Sequence, residues 1–146
     1  MRLAILFLIL IFLIDMLGFY LGHFRPYYYD TILHFGGGFF VALFFAAFFK
    51  NYGITEKSFG KDKFLIFALV ILSATMLVGA FWEFSEYLAT AYFSDYLAEK
   101  YGIICCIGNL DDTIGDLALD IFGAIIFILL HDISYIKVNL SAYKKS

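Results

Sequence analysis

The stretch DTIGDLALDIFGAIIFILLH, residues 112–131, decides how this chain folds. From Ile121 to Leu130 it carries no polar side chain, and from Thr113 to His131 it approaches the roughly 20 residues needed to cross a hydrocarbon core. Long apolar runs without strict alternation read as helix rather than strand, and only helices or closed barrels satisfy their backbone in lipid. Asp112, Asp116 and Asp120 recur every four residues, an interval that turns the direction by only about 40° per step on an α-helix. All three therefore face roughly one way. Asp120 lies about 12 Å inside the stretch at helical rise. Left charged toward lipid it costs at least about 2.5 kcal/mol. It must face a bundle interior, and Gly123 on the next turn lets a neighbouring helix come close.

Three further segments read alike: Leu3 to Leu21, Thr31 to Phe49, and Phe64 to Trp82. With 146 residues, 63% hydrophobic composition and a mean hydropathy of +0.88, residues 1–146 are expected to form one transmembrane domain. The fold class is all-α, an integral membrane bundle of four transmembrane helices in a multi-pass cell membrane protein. The segment after Arg2 resembles a secretory signal in its basic start. It is long for one, contains Asp15, and runs into Gly22-His23-Phe24-Arg25 without a small-x-small cleavage pattern, so a retained anchor is favoured.

Cations set the orientation. Arg2, Lys50, Lys57, Lys61, Lys63, Lys137, Lys144 and Lys145 fall on one side of this topology, and Arg25 and Lys100 on the other. Both termini are expected in the cytoplasm. The net charge of −3 thus hides a basic inner rim and an acidic outer half. The lysines sit at loop ends, where membrane anchoring explains them, and no nucleic-acid partner is implied. Tyr27, Tyr28 and Tyr29 suit the aromatic belt beside the single proline, Pro26. After Trp82, the spacing of Phe84, Tyr87, Leu88, Ala91 and Tyr92 predicts a helical extension to about residue 93. Asn109 or one of the following aspartates suits a cap for the last helix. The tail after His131 is expected at the inner interface rather than as a separate domain. Cys105 and Cys106 are adjacent in the third loop; a vicinal disulfide is strained, and two neighbouring thiols make only part of a metal site, so they receive no role.

The polar residues inside the spans carry the functional reading. Asp30 and His34 stand four apart and share a helical face, followed at once by Gly36, Gly37 and Gly38. Glu83 and Glu86 stand three apart beside Trp82, where paired carboxylates repel unless a cation or shared proton compensates them. The second and fourth spans enter from outside with their polar residues early, while the third exits there with its own late. The topology therefore gathers all of them in the outer half, and Asp15 of the first span lies toward the same end. Plainer roles exist: Asp30 or Asp112 as a helix cap, His34 as a satisfied bundle residue, Glu86 as a solvated interfacial acid.

Ionisable groups at membrane depth mark functional sites by default. Six carboxylates around one imidazole require either bound protons or a cation. Oxygen ligands with one imidazole suit Mg, Mn, Ca or Zn. Asp30, His34, Glu83, Asp116 and Asp120 are the expected ligands, with Glu86 or Asp112 beyond them or serving as general base. The Glu-x-x-His spacing of di-iron carboxylate proteins is absent. Such a site near the outer face could act on or recognise a lipid or envelope headgroup in the surrounding bilayer. Two alternatives compete. A proton or cation pathway should continue across the membrane, yet the inner half of each span is almost devoid of polar residues. A structural or accessory protein could use the acids as bundle glue, although interhelical hydrogen bonds contribute only about 0.6 kcal/mol on average.

From Asp30 to about Gly123, the pattern Asp30-x-x-x-His34-Phe35-x-Gly37, then Trp82-Glu83-x-x-Glu86, then Asp112-Thr113-x-x-Asp116-x-x-x-Asp120-x-x-Gly123 resembles a family of uncharacterised polytopic membrane proteins typified by YjdF, and more loosely the VanZ-like proteins. The resemblance implies a polytopic membrane protein without an assigned activity, and through the VanZ-like kin it hints at envelope roles.

Overall fold

A computed structural model describes residues 1–21, 28–54, 63–102 and 109–143 of the chain. They form four helices, α1 (Arg2–Leu21), α2 (Tyr29–Asn51), α3 (Lys63–Tyr101) and α4 (Leu110–Tyr143), with no strand among the described residues. Three of them carry stretches long and apolar enough to cross a membrane: Tyr29–Asn51, Phe64–Tyr101 and Leu110–Asp132. Cys105 and Cys106 lie outside the described residues.

Chain chemistry explains where the helices stop. Gly53 at φ +74° closes α2: its N–H donates to the Lys50 carbonyl at 3.1 Å, and the Ile54 N–H reaches back to the Phe49 carbonyl at 2.9 Å. This pair of bonds is a Schellman termination, which needs a left-handed residue after the cap. Gly102 at φ +67° ends α3 in a related way, its N–H donating to the Ala98 carbonyl at 3.0 Å. No glycine or proline intervenes between Gly79 and Gly102, so the helical extension expected to about residue 93 runs on to Tyr101. At about 58 Å by helical rise, α3 is nearly twice the thickness of a hydrocarbon core. The tail after His131 likewise continues α4 as helix to Tyr143.

Asn109 caps α4, its side-chain oxygen accepting the Asp112 backbone N–H at 3.1 Å. Asn109→Ala should cost about 1 kcal/mol, read as a lowered midpoint in thermal unfolding; an unchanged midpoint would show that the cap contributes nothing. Asp112 is thereby excluded as the cap itself. Asp30 does not cap α2 either, since it is the second residue of that helix and no side chain bonds its N-terminus.

α2 and α4 form the most closely packed pair, with α3 against both and α1 against α2. Away from the polar residues, Ala42, Ala46, Phe67, Ile71, Ala124, Phe127 and Ile128 make a buried apolar core from α2, α3 and α4. Alanines on α2 and α4 keep that contact close, which matters in lipid, where packing rather than water exclusion drives association. α1 is tied on by Phe7 stacked on Phe40 at 4.4 Å, and by Tyr29, whose ring lies over Gly18 and whose hydroxyl donates to the Ile14 carbonyl.

Candidate metal centre

Each of three helices contributes a stripe with a four-residue repeat, and the stripes meet. On α2 it is Asp30, His34 and Gly38; on α3, Thr75, Gly79 and Glu83; on α4, Asp116, Asp120 and then Gly123. Side chains four apart stack on one helical face, so each stripe presents acids at one end of the bundle and a small residue at the crossing.

The crossing is at backbone contact. A Cβ at Gly38 would collide with the backbone of Asp120, and one at Gly123 with the Phe35 carbonyl and, at 2.8 Å, the Phe39 nitrogen. A Cβ at Gly79 would run into the Asp120 carboxylate itself. The glycines thus let α2 and α4 touch and leave the Asp120 side chain a slot between α2 and α3.

Around His34 the arrangement is one imidazole and four carboxylates. Its Nε2 lies 3.8 Å from Asp30 Oδ1, 3.9 Å from Glu83 Oε1 and 3.9 Å from Asp116 Oδ2; its Nδ1 lies 3.6 Å from Asp120 Oδ1. His34, Glu83, Asp116 and Asp120 are each no more than 7% exposed, whereas the Asp30 side chain is 32% exposed and forms the open edge. None of these separations is a hydrogen bond, which brings nitrogen and oxygen to about 2.7–3.2 Å. Both carboxylate oxygens of Glu83 are buried with no hydrogen-bond partner among the described residues. A buried carboxylate left so is costly unless something compensates it. Ligand atoms of Asp30, His34 and Asp116 lie within 4.8 Å of one another, close enough to hold one metal ion.

The remaining residues named from sequence stand apart from this group. Glu86 is half-buried and accepts a hydrogen bond from the Trp82 indole at 3.1 Å. Asp112 is exposed one turn before Asp116. Asp15, 5% exposed, lines a cavity shared with His34 and Asp120, which brings α1 to the same end of the bundle. Sequence reading missed Gly79 and the buried Thr75. Their spacing of four from each other and from Glu83 was the available signal.

A family model described as "Predicted membrane protein (DUF2238)" matches residues 1–136. An "Uncharacterized protein" of Thermotoga maritima is 29% identical over 114 residues, covering 77% of this chain and 53% of that protein. The chain therefore spans about half the length of the curated relative it matches. No solved structure matches. The looser likeness to VanZ-like proteins finds no support in these matches.

Proposed function

The chain belongs to the DUF2238 family of predicted membrane proteins, and from that premise we propose that its function is to bind a divalent cation between α2, α3 and α4. The observation that carries this reading is Glu83: a buried carboxylate without a hydrogen-bond partner, 3.9 Å from the one imidazole of the cluster. A cation supplies the missing compensation. His34 Nε2 with oxygens of Asp30, Glu83 and Asp116 makes a mixed nitrogen and oxygen set suited to Mg, Mn, Ca or Zn. Ligands about 2.0–2.2 Å from a zinc ion stand about 3–3.5 Å apart, so the oxygens now 3.8–3.9 Å from His34 Nε2 must draw in by roughly 0.3–0.9 Å to share one ion.

Asp120 plays a different part from the other acids. It faces Nδ1, the far side of the ring, as in carboxylate–histidine–metal arrangements, where the outer carboxylate sets the tautomer and orientation of the ligating histidine. Asp30 offers the entry edge. Glu86, or Asp112, would serve as general base, and a bound divalent ion would polarise an oxygen of a lipid or envelope headgroup. In this reading α1 is a fourth span, since Leu3, Leu6, Ile9, Leu10 and Leu13 expose apolar surface along one face of it. Both termini are cytoplasmic and the site lies toward the outer face of the cell membrane.

Purified protein dialysed against each divalent ion and assayed by elemental analysis should retain about one ion per chain at a site of this composition. Asp116→Asn, nearly isosteric, should lose it. An ion-free wild-type protein, or equal retention by the variant, would defeat the reading.

A further inference from the structure

A cavity of about 130 Å³ lies against His34 between all four helices. Of the four acids around the imidazole only Asp120, which faces Nδ1, shares its wall; Asp30, Glu83 and Asp116 do not line it. Asp15 of α1 and Thr75 of α3, 5% and 1% exposed, add polar groups along its length. Phe12 and Trp82 close it on another side, their rings at 88° with centroids 6.1 Å apart, so that they form a corner. Leu8 and Val78 belong to the apolar remainder. Among the described residues α1 makes no backbone approach to α3, and that gap is a lateral way in.

The donors of this wall are already committed. Thr75 gives its hydroxyl proton to the Ile71 carbonyl at 3.0 Å, the Trp82 indole N–H goes to Glu86 at 3.1 Å, and His34 Nδ1 faces Asp120 at 3.6 Å. What remains for an occupant is negative charge from two carboxylates and the faces of two aromatic rings. Both favour a cation, and aromatic corners of this kind recognise quaternary ammonium ions. A metal ion is a poorer fit, since hard cations take six or more oxygen ligands and this wall is mostly apolar. A primary ammonium brings three donors that need acceptors. The Asp120 oxygens, however, are turned to His34 and to the Gly79 position. A methylated ammonium has no N–H to satisfy and presents methyl groups to the apolar wall. Size agrees, because a cavity of about 150 Å³ holds benzene, a molecule comparable to a trimethylammonium head.

We propose that this cavity binds a methylated ammonium group, its charge facing Asp15 and Asp120 and its methyl groups against Phe12, Trp82 and Val78. The site is separate from the divalent-cation cluster, which uses the other nitrogen of His34. Soluble quaternary amines and choline-bearing lipids share this chemistry, and the gap between α1 and α3 admits either.

Trp82 is the chain's single tryptophan and lines the cavity, so its fluorescence reports occupancy. Full-length protein in phosphatidylglycerol nanodiscs is titrated with choline chloride at constant ionic strength. The expected result is a saturable change in emission that neither sodium chloride nor dimethylbutanol, the neutral isostere with carbon in place of nitrogen, reproduces. Asp15→Asn removes a charge at constant shape and should weaken binding about tenfold or more. Phe12→Leu keeps apolar bulk without the ring and should weaken it about tenfold. Val78→Phe, or Leu8→Phe on α1, should fill the space and abolish the response. In phosphatidylcholine nanodiscs, a lowered apparent affinity for choline supports the proposal with the lipid headgroup as the source, and an unchanged one supports it with a soluble amine. No saturable response in wild-type protein overturns the proposal. So does an equal response to sodium or to the neutral isostere, or binding that survives both filled variants. Choline binding by protein that retains no divalent ion supports this proposal while the cation reading falls; ion retention without choline binding does the reverse.

Discussion

Replacing His34 by alanine is expected to lower the stability of the metal-free bundle by about 3–5 kcal/mol, the cost of breaking a buried ion pair from one side. No lysine or arginine ion-pairs with these acids among the described residues; four carboxylates lie within 3.9 Å of the ring. Without it Glu83, Asp116 and Asp120, each no more than 7% exposed, face one another with nothing between. The measurement is the denaturation midpoint in detergent, with and without divalent ion. Wild-type protein should gain stability as the ion concentration rises, by about 2.7 kcal/mol at one hundred times its dissociation constant. His34→Ala should gain far less, because the nitrogen ligand has gone. His34→Gln, similar in length and able to hydrogen-bond, should recover part of the metal-free stability and little of the metal-dependent gain. A pure bundle-glue role predicts the opposite pattern: a loss in His34→Ala, and no response to divalent ions in any variant.

Gly38→Ala and Gly123→Ala should each cost about 3 kcal/mol or more, at or above the upper end of overpacking penalties. The added methyl meets backbone in both cases: Asp120 for Gly38, Phe35 and Phe39 for Gly123. Backbone inside a helix has no rotamer to escape into, so α2 and α4 must separate. Separation draws Asp116 and Asp120 away from His34, and ion retention should fall with stability. Gly115→Ala is the internal control. Nothing lies within 4 Å of its Cβ position, and alanine favours a helix over glycine by up to about 1 kcal/mol. It should be neutral or stabilising and keep the ion. Gly79→Ala tests the site more than the fold, because its methyl meets a carboxylate, which can rotate. The expected outcome is weakened ion binding with a smaller stability loss than at Gly38. Equal, small effects at Gly38, Gly115 and Gly123 would show that the crossing is not at backbone contact.

Much of this was legible before any coordinates. The apolar run after Asp120 and the cost of a charge in lipid required helices with their acids turned inward, and the Asp30/His34 and Asp116/Asp120 spacings gave two of the three stripes. Other features resisted reading, each for a physical reason. α3 outruns the expected extension because apolar patterning fades near the membrane boundary, while the helix stops only where Gly102 adopts a left-handed backbone. Glu83, nearer the apolar run, is the stronger ligand from its place in the chain, but the direction in which Glu86 turns is not legible there. Three residues turn a helix by about 300°, and that remaining offset turns Glu86 to the Trp82 indole and Glu83 to His34.

Hydropathy and charge by themselves determined a helical membrane protein with a polar end, because lipid penalises misplaced polar groups whatever their neighbours are. The tertiary structure alone decided which nitrogen of His34 faces which acid, that Glu83 is left without a hydrogen bond, and that Asp120 sits in a slot cleared by Gly38, Gly79 and Gly123. Those depend on how closely and at what rotation helices distant in the chain cross, and that is set by contacts between side chains and backbones which no single segment contains.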